Sequence, residues 1–146
     1  MNKVKRKAYK VIPRAGSMNN LKLIEDILPV PCDEEVCVKV KAIGLNFADI
    51  FAIFGLYSAT PKGSFVPGLE YSGEIISAGK NVNNFRVGDH VMGVTRFGGY
   101  ADHVIADQHY ITHLPEDWTF EEGAAFIIQA FTAYYALVVL GDIWLI

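Results

Sequence analysis

The sequence predicts a mainly β fold, a small barrel or sandwich with short helices and one long apolar helix on its C-terminal side. Short runs rich in β-branched and aromatic residues, separated by turn residues, fill most of the first 115 positions. Seven such runs in one domain suit a closed or two-layered sheet. After them, GAAFIIQAFTAYYALVVLG runs 19 residues from Gly123 to Gly141 without a charge.

The expected strands are residues 8–12, 21–27, 36–43, 71–78, 90–94, 100–106 and 110–114. Between the third and fourth, NFADIFAIFG at 46–55 reads as a short helix. Asn46 is a good N-cap, and Phe47, Ile50, Phe51 and Phe54 recur at helical spacing. LPEDWTFEEGAAF at 114–126 then leads out of the strands, and TFEE matches a capping box, in which Thr119 and Glu122 satisfy helix amides reciprocally. From Ala124 to Leu140 only Gln129, Thr132 and the hydroxyls of Tyr134 and Tyr135 interrupt the apolar surface. A surface helix should show a polar face, so this one expects company on nearly every side, from another chain, a further domain or both. No internal repeat, low-complexity tract or flexible linker is evident.

Composition narrows the function classes. At 146 residues and 16.2 kDa the length corresponds to about one domain. Thirteen basic residues against 16 acidic give a net charge of −3, which offers no polycationic field to a nucleic acid. The basic run KVKRKAYK at 3–10 alternates charged and apolar residues as the two faces of a first strand do. The long uncharged run approaches the roughly 20 residues needed to cross a bilayer. It carries Gln129, Thr132 and two tyrosines, is flanked by Glu121 and Glu122, and has no basic cluster to set an orientation. A buried helix is therefore expected, with no membrane span. Cys32 and Cys37 in CDEEVC lack the two-residue gap of a redox or zinc-ribbon pair, and Cys37 lies in a strand-like run, so both read as reduced structural thiols. No signal peptide opens the sequence, which points to the cytoplasm.

Five motifs carry a specific resemblance. GLEYSGEIISAGKNV at 68–82 is similar to the zinc alcohol dehydrogenase signature Gly-His-Glu-x2-Gly-x5-Gly-x2-Val, with Gly68, Glu70, Gly73, Gly79 and Val82 in place and Leu69 where the histidine ligand belongs. GLNFADIFAIFGLY at 44–57 lies upstream of it, and VGDHVMG at 87–93, GGYADHVIAD at 98–107 and FEEGAAFIIQAFTAYYAL at 120–137 follow, all in family order. The chain resembles the zinc-independent quinone oxidoreductase branch of the medium-chain dehydrogenase/reductase superfamily, including the vesicle amine transport protein homologues. The resemblance implies a GroES-like β-barrel catalytic domain over residues 1–117, followed at 118–146 by the apolar helix and the start of a nucleotide-binding domain. No glycine-rich dinucleotide fingerprint occurs in the sequence, so the Rossmann domain of the family is absent from it. LGDIWLI stops where that domain's first strand would begin.

Further expectations follow from the resemblance. Asn46 stands where zinc enzymes carry their first cysteine ligand, and with Leu69 it leaves both ligand positions empty, so no zinc is expected. The chemistry left is hydride transfer from NADPH to a quinone or an activated enone, with the protein supplying proximity and electrostatics. Asn46 and Tyr57 would border the nicotinamide and acceptor cleft, Thr132 would approach the nicotinamide carboxamide, and Asp49 would hold polar groups in place. Phe51 departs from a tyrosine common in the family. Each residue also has a structural reading: Asn46 as a helix cap, Asp49 as a first-turn carboxylate, Tyr57 as a turn aromatic, Thr132 as helix packing. The chain alone is expected to be inactive and to self-associate as a dimer through the stretch from Phe126 to Leu140. The competing reading is a non-catalytic binding or assembly module that uses the same barrel and its apolar helix.

Overall fold

Residues 3–143 are described by the structure, a computed structural model of the chain. All seven strands form: β1 (Val4–Val11), β2 (Leu21–Leu28), β3 (Glu35–Gly44), β4 (Glu70–Ala78), β5 (His90–Val94), β6 (His103–Asp107) and β7 (Ile111–His113). Strand β3 runs between β4 and β6 in a five-stranded antiparallel sheet of order β6-β3-β4-β5-β7. Its consecutive Val36, Cys37 and Val38 are all buried, as befits a strand covered on both faces. Together with Tyr71, Ile75 and Val91 the two valines form the main core. Strands β1 and β2 make a separate antiparallel ribbon. Single bridges, Ala8 to Ala101 and Val11 to Phe65, attach it to the rest. The sheet is thus curled in the GroES-like manner without closing as one continuous ladder.

Two strands are shorter than the sequence predicts. The sixth begins at His103 because Tyr100 and Ala101 pair back to β1, the Tyr9 N–H donating to the Tyr100 carbonyl at 2.9 Å. The seventh begins at Ile111 because the Asp107 carboxylate accepts the His109 N–H at 2.8 Å and winds Gln108–Tyr110 into a 3₁₀ turn.

Helix α1 (Phe47–Phe54) ends at Gly55 in the left-handed conformation, φ 76°, a common helix stop. Its orientation is unexpected. The stripe of Phe47, Ile50, Phe51 and Phe54 faces outward, while Asp49, Ala52 and Ile53 are buried.

The C-terminal apolar run is divided rather than continuous. Helix α2 (Phe120–Ala124) opens on the expected capping box of Thr119 and Glu122, and the Ser72 hydroxyl donates to the Phe120 carbonyl, fixing α2 to β4. A break at Ala125 and Phe126 separates it from α3 (Ile127–Tyr134), which continues as a wider π-helical winding over Tyr135–Leu140. The break lets Ile127 enter the core beside Met92 and Leu114. Beyond that first turn the run leaves the barrel, and Phe131, Tyr134, Tyr135, Leu137, Val139 and Leu140 are all exposed. Residues 144–146, part of the expected boundary segment, lie outside the described residues. No helix among the described residues is long and apolar enough to cross a membrane.

Candidate functional site

The site grows from a close approach at the start of the signature. Gly68 has φ 103°, and a Cβ there would fall 2.5 Å from the Tyr100 backbone nitrogen. Only glycine fits. The approach brings the Tyr100 ring beside α1, where its hydroxyl donates to Asp49 at 3.0 Å. The buried Asp49 carboxylate also accepts the Asn46 N–H at 2.9 Å, at the start of α1, and the Gly68 N–H at 3.2 Å. Burial raises the Asp49 pKa above the ordinary aspartate range, against the lowering effect of those hydrogen bonds. Burial, with the facing carboxylate, also raises the Tyr100 phenol well above its usual range.

A second carboxylate completes the arrangement. Glu70 is 1% exposed. Its Oε1 accepts Asn46 Nδ2–H at 2.9 Å, and its Oε2 accepts the Ile128 N–H, in the first turn of α3, at 2.9 Å. A Cβ on Gly44 would sit 2.4 Å from Glu70 Cγ and from the Ala124 carbonyl oxygen, so the glycine leaves the room through which the glutamate passes. A polar chain therefore runs from the Tyr100 hydroxyl through Asp49, Asn46 and Glu70 to the start of α3. The sequence shows Glu70 only as a matched letter of the signature. The available signal is an acid within VPGLEYSG, at the first position of its strand.

Of the residues expected in the cleft, the structure joins Asn46 and Asp49 directly. Thr132, exposed on α3, stands about one helical turn beyond the Ile128 amide that Glu70 holds. Tyr57 lies apart from them, past the end of α1, in an open depression of about 470 Å³ shared with Arg14, Thr60 and Lys62. Leu69 uses its backbone, the carbonyl accepting the Thr95 N–H at 2.8 Å. Among the described residues no group of three His, Cys, Asp or Glu side chains is placed to hold a metal ion. Cys32 and Cys37 are unpaired, and burial pushes the Cys37 thiol up to about 11, far from a reactive thiolate.

Beside this polar chain lies an apolar wall. Leu45, Phe47 and Leu56 are more than 70% exposed, and Ile50, Phe51 and Phe54 more than 40%. An exposed apolar face of this extent marks a surface meant for a ligand or another part of a protein.

Known proteins share this architecture. The pattern of the alcohol dehydrogenase GroES-like domain matches residues 32–116. Human synaptic vesicle membrane protein VAT-1 homolog-like is 35% identical over 127 residues, covering 87% of this chain and 30% of the relative. Human quinone oxidoreductase is 40% identical over 125 residues, covering 84% of this chain and 38% of the relative. The crystal structure of the human VAT-1 homolog-like protein superposes with a TM-score of 0.90 at 32% identity, over 96% of this chain and 45% of that one. Escherichia coli quinone oxidoreductase complexed with NADPH gives a TM-score of 0.82 at 28% identity, over 92% of this chain and 40% of that one. The chain thus spans about a third of the length of these curated relatives. It belongs to the alcohol dehydrogenase GroES-like domain family, within the quinone oxidoreductase branch of the medium-chain dehydrogenase/reductase superfamily.

Proposed function

We propose that this chain is the acceptor-side half of a zinc-independent, NADPH-dependent oxidoreductase that reduces a quinone or an activated enone, and that it is inactive without a nucleotide-binding half. The observation that carries the reading is the inverted α1, whose carboxylate points inward and whose phenylalanines face solvent beside Asn46. A helix packed for stability alone would turn the other way. An apolar wall next to one half-buried amide suits a flat, electron-poor acceptor, since it excludes water while the amide orients an oxygen.

The described residues fit one end of the cofactor. The nicotinamide end needs an apolar surface and a few polar groups, which the α1 wall, Asn46 and Thr132 supply. The pyrophosphate end needs unoccupied amides at a helix N-terminus. An acidic side chain stands at each helix start, Asp49 at α1, Glu122 at α2 and Glu70 at α3, which repels a phosphate there, so the phosphates would have to be held elsewhere. The cofactor, when bound, supplies a hydride. The chain's own residues orient the ring and the acceptor: Asn46 through its carboxamide, Asp49 by fixing the Asn46 backbone, Thr132 through its hydroxyl, and Tyr57 at the outer rim. The division into 1–117 and 118–146 belongs to this reading. So do a cytoplasmic location, which the two free thiols fit, and self-association through the exposed run from Phe126 to Leu140.

The test is NADPH oxidation with a quinone acceptor. The chain alone should show no turnover above buffer. Fused to the nucleotide-binding half of a related quinone oxidoreductase, it should gain turnover that Tyr57→Ala reduces at least tenfold, about 1.4 kcal/mol. The same preparations should carry no stoichiometric zinc by elemental analysis. Turnover by the isolated chain, or a folded fusion that binds NADPH without turnover, would sink the proposal.

A further inference from the structure

The two oxygens of Glu70 serve two different elements, the N-cap of α1 through Asn46 and the first turn of α3 through Ile128. We propose that Glu70 is a positioning residue that fixes which atoms of the Asn46 carboxamide face the cleft and where the helix bearing Thr132 begins. This purpose rests on the cleft reading above.

The argument is one of donors and acceptors. A carboxylate only accepts hydrogen bonds, and both groups that reach Glu70 donate. The Ile128 N–H belongs to the backbone and cannot turn. The Asn46 side chain can turn, and with the carboxylate present it must aim Nδ2 at Glu70. Its Oδ1 is then directed away from Glu70. The Glu70 carboxylate is buried, so water is poorly placed to replace its lost partner, and the wrong orientation would place oxygen against oxygen. A glutamate that merely capped α3 or filled space would leave the amide free to adopt either orientation.

Glu70→Gln separates these roles. A glutamine offers one acceptor and one donor. Its oxygen can keep the Ile128 N–H, but its amide then meets the Asn46 amide donor to donor. The contact recovers only if the Asn46 carboxamide turns through half a revolution and presents Oδ1. The fold can survive with both hydrogen bonds made, while the polarity that Asn46 offers the cleft is reversed.

Heteronuclear NMR on the labelled chain reads this without cofactor or acceptor. In the unmodified chain, an Asn46 Nδ2 proton should be shifted downfield and exchange with water at least about tenfold more slowly than the side-chain amide of the exposed Asn19. In Glu70→Gln that signature should leave Asn46 and reappear on the introduced amide, with the Ile128 N–H still protected. Fast exchange at Asn46 in the unmodified chain overturns the proposal, and so does an unmoved Asn46 signal in a folded Glu70→Gln chain. The first measurement decides the matter even if the variant fails to fold. Loss of the NADPH reading with the Asn46 signature present would leave the positioning intact, whereas turnover without the signature would remove the role of Glu70 alone.

Discussion

A methyl group on Gly44 would meet the Glu70 side chain and the Ala124 carbonyl oxygen at 2.4 Å each. Neither neighbour can step aside freely, since one is a buried carboxylate with two hydrogen-bond partners and the other is backbone. Gly44→Ala should therefore destabilise the chain by about 1–3 kcal/mol, the usual range for overpacking. Urea denaturation would show this as a lower midpoint at unchanged slope, and an unchanged midpoint would mean that Glu70 has room it does not use here. Much at this scale was legible in the sequence. Asn46 at a helix start, Gly55 at its end, and Thr119 with Glu122 at the next helix act through neighbours three or four positions away. Glu70 was not legible as a partner of Asn46 and Ile128, because those residues lie 24 and 58 positions from it.

Between elements, the β1–β2 ribbon offers the clearest electrostatic test. Arg6 and Asp26 face each other across the ladder and form two hydrogen bonds of 2.8 and 2.6 Å. The hydrogen bond from Arg6 is the main reason the Asp26 carboxyl is held below its usual pKa of 3.8. A carboxylate with a lowered folded-state pKa stabilises the fold above its unfolded value, and that contribution is lost as pH falls through the folded value. The unmodified chain should thus exceed Asp26→Asn in stability by up to about 1 kcal/mol near neutral pH, with the gap closing once pH drops below the lowered value. Urea midpoints of both chains at pH about 7 and about 2 would check this, and a gap that persists in acid would mean the pair acts by packing rather than charge. The same scale holds the departures from expectation. The apolar stripe of α1 gave the helix but not its direction, because periodicity shows that one face differs and not which side the core lies on. The C-terminal run gave helix but not its division, which depends on where Ile127 and the Ile128 N–H find partners on the barrel.

For the whole molecule, the dominant feature is uncovered apolar surface on the C-terminal run. Phe126, Phe131, Tyr134, Tyr135, Leu137, Val139 and Leu140 are all exposed. With each large side chain contributing roughly 1.5–3 kcal/mol on full burial, covering this face is worth on the order of 10 kcal/mol, as much as the net stability of a domain. Sedimentation at micromolar concentration should show a dimer or larger species. Phe131→Glu with Leu137→Lys, both at exposed positions, should shift it toward monomer. A monodisperse monomer of the unmodified chain would end the self-association proposal.

The seven strands, the capped helices and the family follow from the sequence by itself, because alternation, turn residues and caps act over a few neighbouring positions and the motifs keep their spacing along the chain. Which way α1 faces, which partners Asp49 and Glu70 serve, and why Gly44 and Gly68 must be glycines were decided only by the tertiary structure. Each depends on atoms brought within a few ångströms by the crossing of β3, β4 and the segment at Tyr100, and the order of residues along one strand carries no record of what lies across from it.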